Sequence, residues 1–214
     1  VREVGKAKVS KPRDFVTYAS LYRRFHSEGD AGLVLFRSAK TQAAVVDFYS
    51  DLVGSERIAS AILVAADAAD VPLDLAFSVA WVESRFRPRA TNRNHRSIDR
   101  GLFQLNSRSF PKLTIAEFFE PETNARNGLG YLRYCFNEGG NDIAALAMYN
   151  AGRNRVRNQG APQMTLDYIA QIVAYRQELD AQFQQAVLHP LKRAAAGQAT
   201  VKRLAALEAE KTRK

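Results

Sequence analysis

The sequence predicts a mainly α-helical fold, a helical bundle with one small β-hairpin region. Apolar residues recur at spacings of three and four through most of the chain, as at Phe15, Tyr18, Tyr22 and Phe25. The periodic runs are parted by turn and cap residues such as Gly54-Ser55 and Gly139-Gly140. The one stretch without a helical period, 90–106, is rich in Asn92, Asn94, Ser97, Asp99 and Gly101, the residues of turns and hairpins.

Taken in order, the first helix is expected around 15–25, broken by Ser27-Glu28-Gly29-Asp30. A second is expected over 41–53 and a third over 55–70, with Ser55 as its N-cap. Pro72 suits the first position of a fourth, where a missing N–H costs nothing. That helix carries Leu75, Phe77, Val79, Trp81 and Val82, apolar nearly all round, so it is expected in the core. Pro88 forbids its continuation. In the aperiodic stretch, 102–105 reads as a short strand. Helices follow over 114–119, 124–136, 142–149 and 165–183. Beyond Pro190, Val201, Leu204 and Leu207 form only a narrow apolar stripe, marginal for an isolated helix. The domain reading is a helical N-terminal extension over 1–54, a central domain over 55–183 and a basic tail over 184–214.

Composition narrows the class. The chain has 214 residues, 46% hydrophobic and 25% charged, ordinary for a folded globular protein. Its longest apolar or small run, 58–66, is far short of a membrane span. No leader-like segment opens it, so any export signal is expected outside this chain. Lone Cys135 excludes an internal disulfide framework and reads as a small buried hydrophobe between Tyr134 and Phe136. His26, His95 and His189 show no metal-ligand spacing, and no metal or cofactor is expected. The net charge of +9 is spread out: nine basic against six acidic residues in 1–54, fifteen against thirteen in 55–178, and seven against three in 179–214. One local knot stands out, formed by Arg85, Arg87, Arg89, Arg93, Arg96 and Arg100. Such a knot suits a polyanion or a solvated rim equally well.

Glu83 is the residue that points to chemistry. It ends an apolar helix, and burying a carboxylate is costly unless it is put to use. Burial against Trp81, Val82 and Phe86 raises a carboxyl pKa, which is what a general acid at neutral pH needs. Three motifs stand around it in order: Glu83-Ser84-x-Phe86-x-Pro88-x-Ala90, Gly101-Leu102-Phe103-Gln104 and Ala147-Met148-Tyr149-Asn150-Ala151-Gly152. Each is weak alone. Together, in this order, they resemble the three motifs of the soluble lytic transglycosylases, members of the lysozyme-like superfamily, over about 55–183. Across and between the first two, Glu83-Ser84-x-Phe86, Ala90-Thr91-Asn92-Arg93-Asn94, Ser97-x-Asp99-x-Gly101 and Gln104-x-Asn106-Ser107-Arg108 are similar to animal c-type lysozymes, without the cysteines of those enzymes.

The resemblance implies an α+β lysozyme-like fold whose cleft takes peptidoglycan glycan strands. It implies that Glu83 protonates the glycosidic oxygen between muramic acid and glucosamine, then takes the proton of the muramic C6 hydroxyl as a 1,6-anhydro ring closes. Gln104 and Asn150 are expected to bond sugar hydroxyl and acetamido groups. Tyr149 is expected to bond the acetamido group or Glu83, and Ser84 to bond Glu83 or cap the helix end. Phe103, where the family more usually has methionine, is expected to line the cleft, and Tyr168 matches a further family tyrosine. Asp99 falls near the second carboxylate of the lysozymes, which keeps a hydrolytic muramidase using Glu83 with Asp99 open. The implied location is the bacterial periplasm or cell envelope. An envelope-complex partner is expected through 1–54 or 184–214, and a glycan-binding structural component is the reading from another class. Nucleic acid is not expected as a partner: the only aromatic–basic interleaving, around Tyr22 and Phe25, reads better as core packing.

Overall fold

A computed structural model describes residues 31–197; the expected helix over 15–25 and the stripe Val201, Leu204 and Leu207 lie outside them. The fold is built around the apolar helix of the motif region. Pro72 is extended (φ −49°, ψ 136°) and stands one place before the helix as its N-cap rather than inside it, its carbonyl accepting from Ala76 N at 2.9 Å. The helix then runs Leu73–Ser84. Its Leu73, Leu75, Phe77, Val79 and Ala80 are at most 1% exposed, which such an apolar sequence requires, because each large side chain left in water would cost about 1.5–3 kcal/mol.

In chain order the helices before it are α1 (Gly32–Arg37), α2 (Gln42–Val53) and α3 (Glu56–Ala69), so Leu73–Ser84 is α4. Ser55 caps α3 as expected, its Oγ accepting from Ile58 N. After the sheet come α5 (Ile115–Phe119), α6 (Pro121–Gly139), α7 (Asp142–Ala151), α8 (Arg153–Gln159) and α9 (Gln163–Phe183). Helix α6 starts three residues ahead of the expected Asn124, because Pro121 is pre-set for the first turn. Helix α8 was not anticipated: RNRVRNQ buries no residue and so carries no apolar period. The last helix does not stop at Phe183 but passes through a π-helical turn, Gln184–Leu188, and runs on to residue 197.

Packing ties these pieces to α4. Tyr49 of α2 stacks on Phe77 with ring centroids 3.9 Å apart, and Phe183 lies against both Tyr49 and Phe48. Leu33, Phe36, Val45 and Tyr49 thus share one core with α4 and α9. One turn earlier on α4, Asp74 and Arg176 of α9 form a mostly buried ion pair at 2.5 Å. No helix among the described residues is long and apolar enough to cross a membrane.

Three short antiparallel strands stand beside the helices in the order β1 (Thr91–Arg93), β2 (Ile98–Arg100), β3 (Leu105–Asn106). Asn92 faces Asp99, and Asp99 faces Asn106. The mainly helical fold with a small hairpin region is therefore as the sequence predicts, but the strand expected over 102–105 is not. Residues 101–104 form a turn, with Gly101 at φ +81° and Gln104 at φ +45°, and Leu102 and Phe103 are almost fully buried. A short apolar run does not reveal by itself whether it is a strand or a buried turn.

Candidate active site

Glu83 reaches the surface because α4 ends there. Arg85 (φ +56°) and Phe86 (φ +58°) take the left-handed conformation one after the other, and Arg85 N closes the last turn onto Trp81 O at 2.9 Å. Left-handed backbone at two successive non-glycine residues costs on the order of 1–2 kcal/mol each, a strain of the kind concentrated at functional sites. The turn leaves Glu83 half-buried on the wall of a cleft of about 690 Å³. Asp99, Phe103, Gln104, Tyr149 and Asn150 line the same cleft, so six of the eight expected site residues meet there.

The other two play different parts. Tyr168 comes from α9 behind the wall and donates to Glu83 Oε1 at 2.7 Å. Ser84 is buried and donates back to Ala80 O at 3.0 Å, so it neither bonds Glu83 nor caps the helix. Tyr149 does not bond Glu83 either; its hydroxyl donates to Phe103 O at 2.9 Å and pins the Gly101–Gln104 turn. Helical spacing did not show that α9, not α7, presents its tyrosine to the acid.

Burial pushes the Glu83 carboxyl up to about 7. The hydrogen bond from Tyr168 opposes that rise, and the nearby charge of Asp99 adds to it. Tyr149 and Tyr168 are held well above the ordinary phenol value, first by burial and then by the Glu83 charge, so both remain donors. Asp99 accepts from Asn94 Nδ2 at 2.6 Å and from Asn106 Nδ2 at 2.7 Å. Two amides thus fix it across the hairpin.

The polar walls are oriented by neighbours. Gln104 spends its Nε2 on Gly101 O at 2.9 Å and Ala90 O at 3.2 Å, which turns the amide so that its oxygen is the group left to accept from a ligand. Asn150 Oδ1 accepts from Thr165 Oγ1 at 2.8 Å, which leaves its NH₂ to donate. Phe103 is 1% exposed and rests on α6 at Gly128, where any Cβ would overlap its ring.

Sequence reasoning missed Asn124. Fully buried in the first turns of α6, it accepts from Phe103 N at 2.8 Å and donates to Phe118 O at 2.7 Å and Arg100 O at 3.0 Å. Gly101 must be glycine here, because a Cβ would overlap the Asn124 amide and Phe118 O. The only available signal was an asparagine inside an otherwise amphipathic helix. The arginine knot stands apart from the cleft, with five of its six members exposed. None of its six members lines the cleft. Arg85 lies over the Trp81 ring at 3.4 Å, Arg87 bonds Ser84 O, and Arg89 and Arg100 sit over Phe119 and Phe118. Among the described residues no group of three His, Cys, Asp or Glu side chains is placed to hold a metal ion.

A half-buried acid near neutrality on the wall of a polar cleft, flanked by amide groups, has the features that acid–base chemistry on a sugar would need. The family model of the transglycosylase SLT domain matches residues 60–172, more than half of the chain, and the protein belongs to that family. Comparison with curated proteins gives no match. Family membership supports, in general terms, a lytic-transglycosylase-type action on the peptidoglycan of the cell envelope.

Tyr168→Phe tests how the acid is held. Removing a hydrogen bond that favours the carboxylate should move the high-pH limb of the kcat/KM profile upward by about one pH unit, the fold of the chain being retained. An unmoved limb would show that the Tyr168 hydroxyl does not act on Glu83.

Proposed function

We propose that this protein is a peptidoglycan lytic transglycosylase that cleaves the MurNAc-β-1,4-GlcNAc bond and closes a 1,6-anhydro ring on the muramic acid. The observation that carries the reading is Glu83 itself: a carboxyl raised by burial to about 7, on the cleft wall, with a tyrosine hydroxyl on one oxygen. Near neutrality such a group is populated in both protonation states, which suits one residue acting first as acid and then as base. Glu83 gives its proton to the glycosidic oxygen, and the C1–O bond breaks with the glucosamine leaving as an alcohol. The positive charge on the muramic ring is met by the substrate's own 2-acetamido group. Glu83, now a carboxylate, removes the C6 hydroxyl proton as that oxygen bonds to C1. The acid is regenerated and no water is consumed.

Gln104, through its oxygen, and Asn150, through its NH₂, offer complementary partners for hydroxyl and acetamido groups. Tyr149 supports the reaction indirectly, holding the turn that carries Gln104. We place the catalytic residues within 55–183, whose core is completed by Leu33, Phe36, Val45 and Tyr49; an envelope partner through 1–54 or 184–214 is part of the proposal, and an exported, periplasmic location follows from the substrate.

A hydrolytic muramidase is the second reading, favoured by one observation: Asp99 lines the same cleft and its charge reaches Glu83. Mass spectrometry of digested sacculi separates the two. The transglycosylase reading expects anhydro-muramic ends, one water lighter than hydrolytic products; reducing ends alone would replace it with the muramidase. Sacculus binding without any cleavage would instead favour a structural glycan-binding role.

A further inference from the structure

The hairpin has two unlike faces. Facing residues of antiparallel strands point to the same side, so Asn92, Asp99 and Asn106 share one face, and all three line the cleft. Thr91 and Arg93 of β1 and Arg100 of β2 belong to the other face, with Arg93 exposed. Arg96 is exposed in the turn between the two strands. Between Ser84 and Leu113 the chain carries eight lysines and arginines against Asp99 alone, and that one acid is on the cleft side. The back of the hairpin is left strongly positive.

None of Arg89, Arg93, Arg96 and Arg100 is in an ion pair among the described residues. Arg89 lies over the Phe119 ring at 5.7 Å and Arg100 over Phe118 at 5.3 Å. These contacts hold both guanidinium groups beside α5 without cancelling their charge. Four residues before Phe119, on the same side of that helix, Ile115 keeps 66% of its surface exposed. Unpaired cations around an exposed aliphatic side chain are the composition of a lipid-interface site. A nucleic acid would ask for free aromatic faces on which bases stack; here Phe118 is buried and Phe119 lies under Arg89.

We propose that the back of the hairpin and the start of α5 form a surface that binds an anionic bilayer, with Arg89, Arg93 and Arg96 meeting lipid phosphates and Ile115 entering the headgroup layer. The cleft opens on the opposite face of the hairpin, so a molecule lying on the bilayer in this way keeps it open to a glycan strand. That use of the surface rests on the proposed action on peptidoglycan. The binding itself does not.

The test is co-sedimentation of the full chain with vesicles in the absence of glycan, so its result is separate from any cleavage. Vesicles of phosphatidylcholine mixed with an equal part of phosphatidylglycerol should bind the chain, and vesicles of phosphatidylcholine alone should not. Arg93→Gln with Arg96→Gln should weaken binding about 25-fold, each arginine at the surface being worth about fivefold. Lys192→Gln with Arg193→Gln removes the same charge from the exposed end of the last helix and should leave binding unchanged. The arginine effect should fade as salt rises, and a loss in Ile115→Ser should persist. All five positions are exposed, so the variants keep the fold. No binding to the anionic vesicles, or an equal loss in both double variants, would overturn the surface. Retention on DNA at a salt concentration where the vesicles bind nothing would overturn it in favour of a nucleic acid.

Discussion

Glu83→Gln is expected to lower kcat by about 10²–10⁴-fold and, in the same variant, to raise stability above neutral pH. The first effect follows from removing the proton that the leaving oxygen needs. The amide keeps the shape and the oxygen that accepts from Tyr168, so binding should change little. The second effect follows from linkage. The folded chain holds a proton on Glu83 up to about pH 7, whereas an unfolded glutamate releases it near its ordinary value of 4.5. Between those two pH values the folded state binds more protons, so stability falls as pH rises, by about 3 kcal/mol across the window. A glutamine has no charge to bury and escapes that loss. Thermal unfolding at pH 5 and pH 8 reads it directly: the gap between variant and parent should be small at the lower pH and large at the higher. A variant that keeps full turnover, or whose stability advantage is the same at both pH values, would remove Glu83 from the acid's place.

Asn124→Ala should carry the largest structural penalty of any single polar change near the site. The side chain serves Phe103 N, Phe118 O and Arg100 O, and all three backbone groups lose their partner at once. Buried polar groups left unmet cost about 1–3 kcal/mol each, so a total of roughly 3–6 kcal/mol is expected, after some relaxation. That is a large part of the stability of an ordinary domain. Because those groups set the turn that holds Gln104 at φ +45°, activity should fall further than unfolding alone accounts for. Chemical denaturation measures the first loss, and kcat/KM on the fraction that remains folded measures the second. A loss below 1 kcal/mol would mean that the turn holds itself without α6.

What could be read from the chain beforehand was whatever depends on neighbours in sequence. The apolar run Leu75–Val82 announced a core helix, and Pro88 bounded it, so Glu83 stood out as a charge at its end. The turn residues of 90–106 announced a hairpin, and two short strand pairs formed there. What escaped depends on contacts made across the fold. Tyr168 and Tyr149 both lie on helices, and only the packing of α9 against α4 decides which one meets the acid. Leu102 and Phe103 are as apolar as any strand, but Gly101 and Asn124 bend them into a buried turn. Helix α8 buries no residue, so no apolar period announced it. The knot of arginines was plain in the sequence, yet aromatic rings and carbonyl groups beside it had already taken four of the six.

The central claim is that Glu83 returns its proton-accepting capacity to the substrate's own hydroxyl and not to water. Digesting sacculi in water enriched in heavy oxygen tests this at the bond that forms. The muramic products should be anhydro species with no label at C1. Reducing-end products carrying the heavy oxygen at C1 would contradict the claim and favour the muramidase reading, in which Asp99 acts with Glu83.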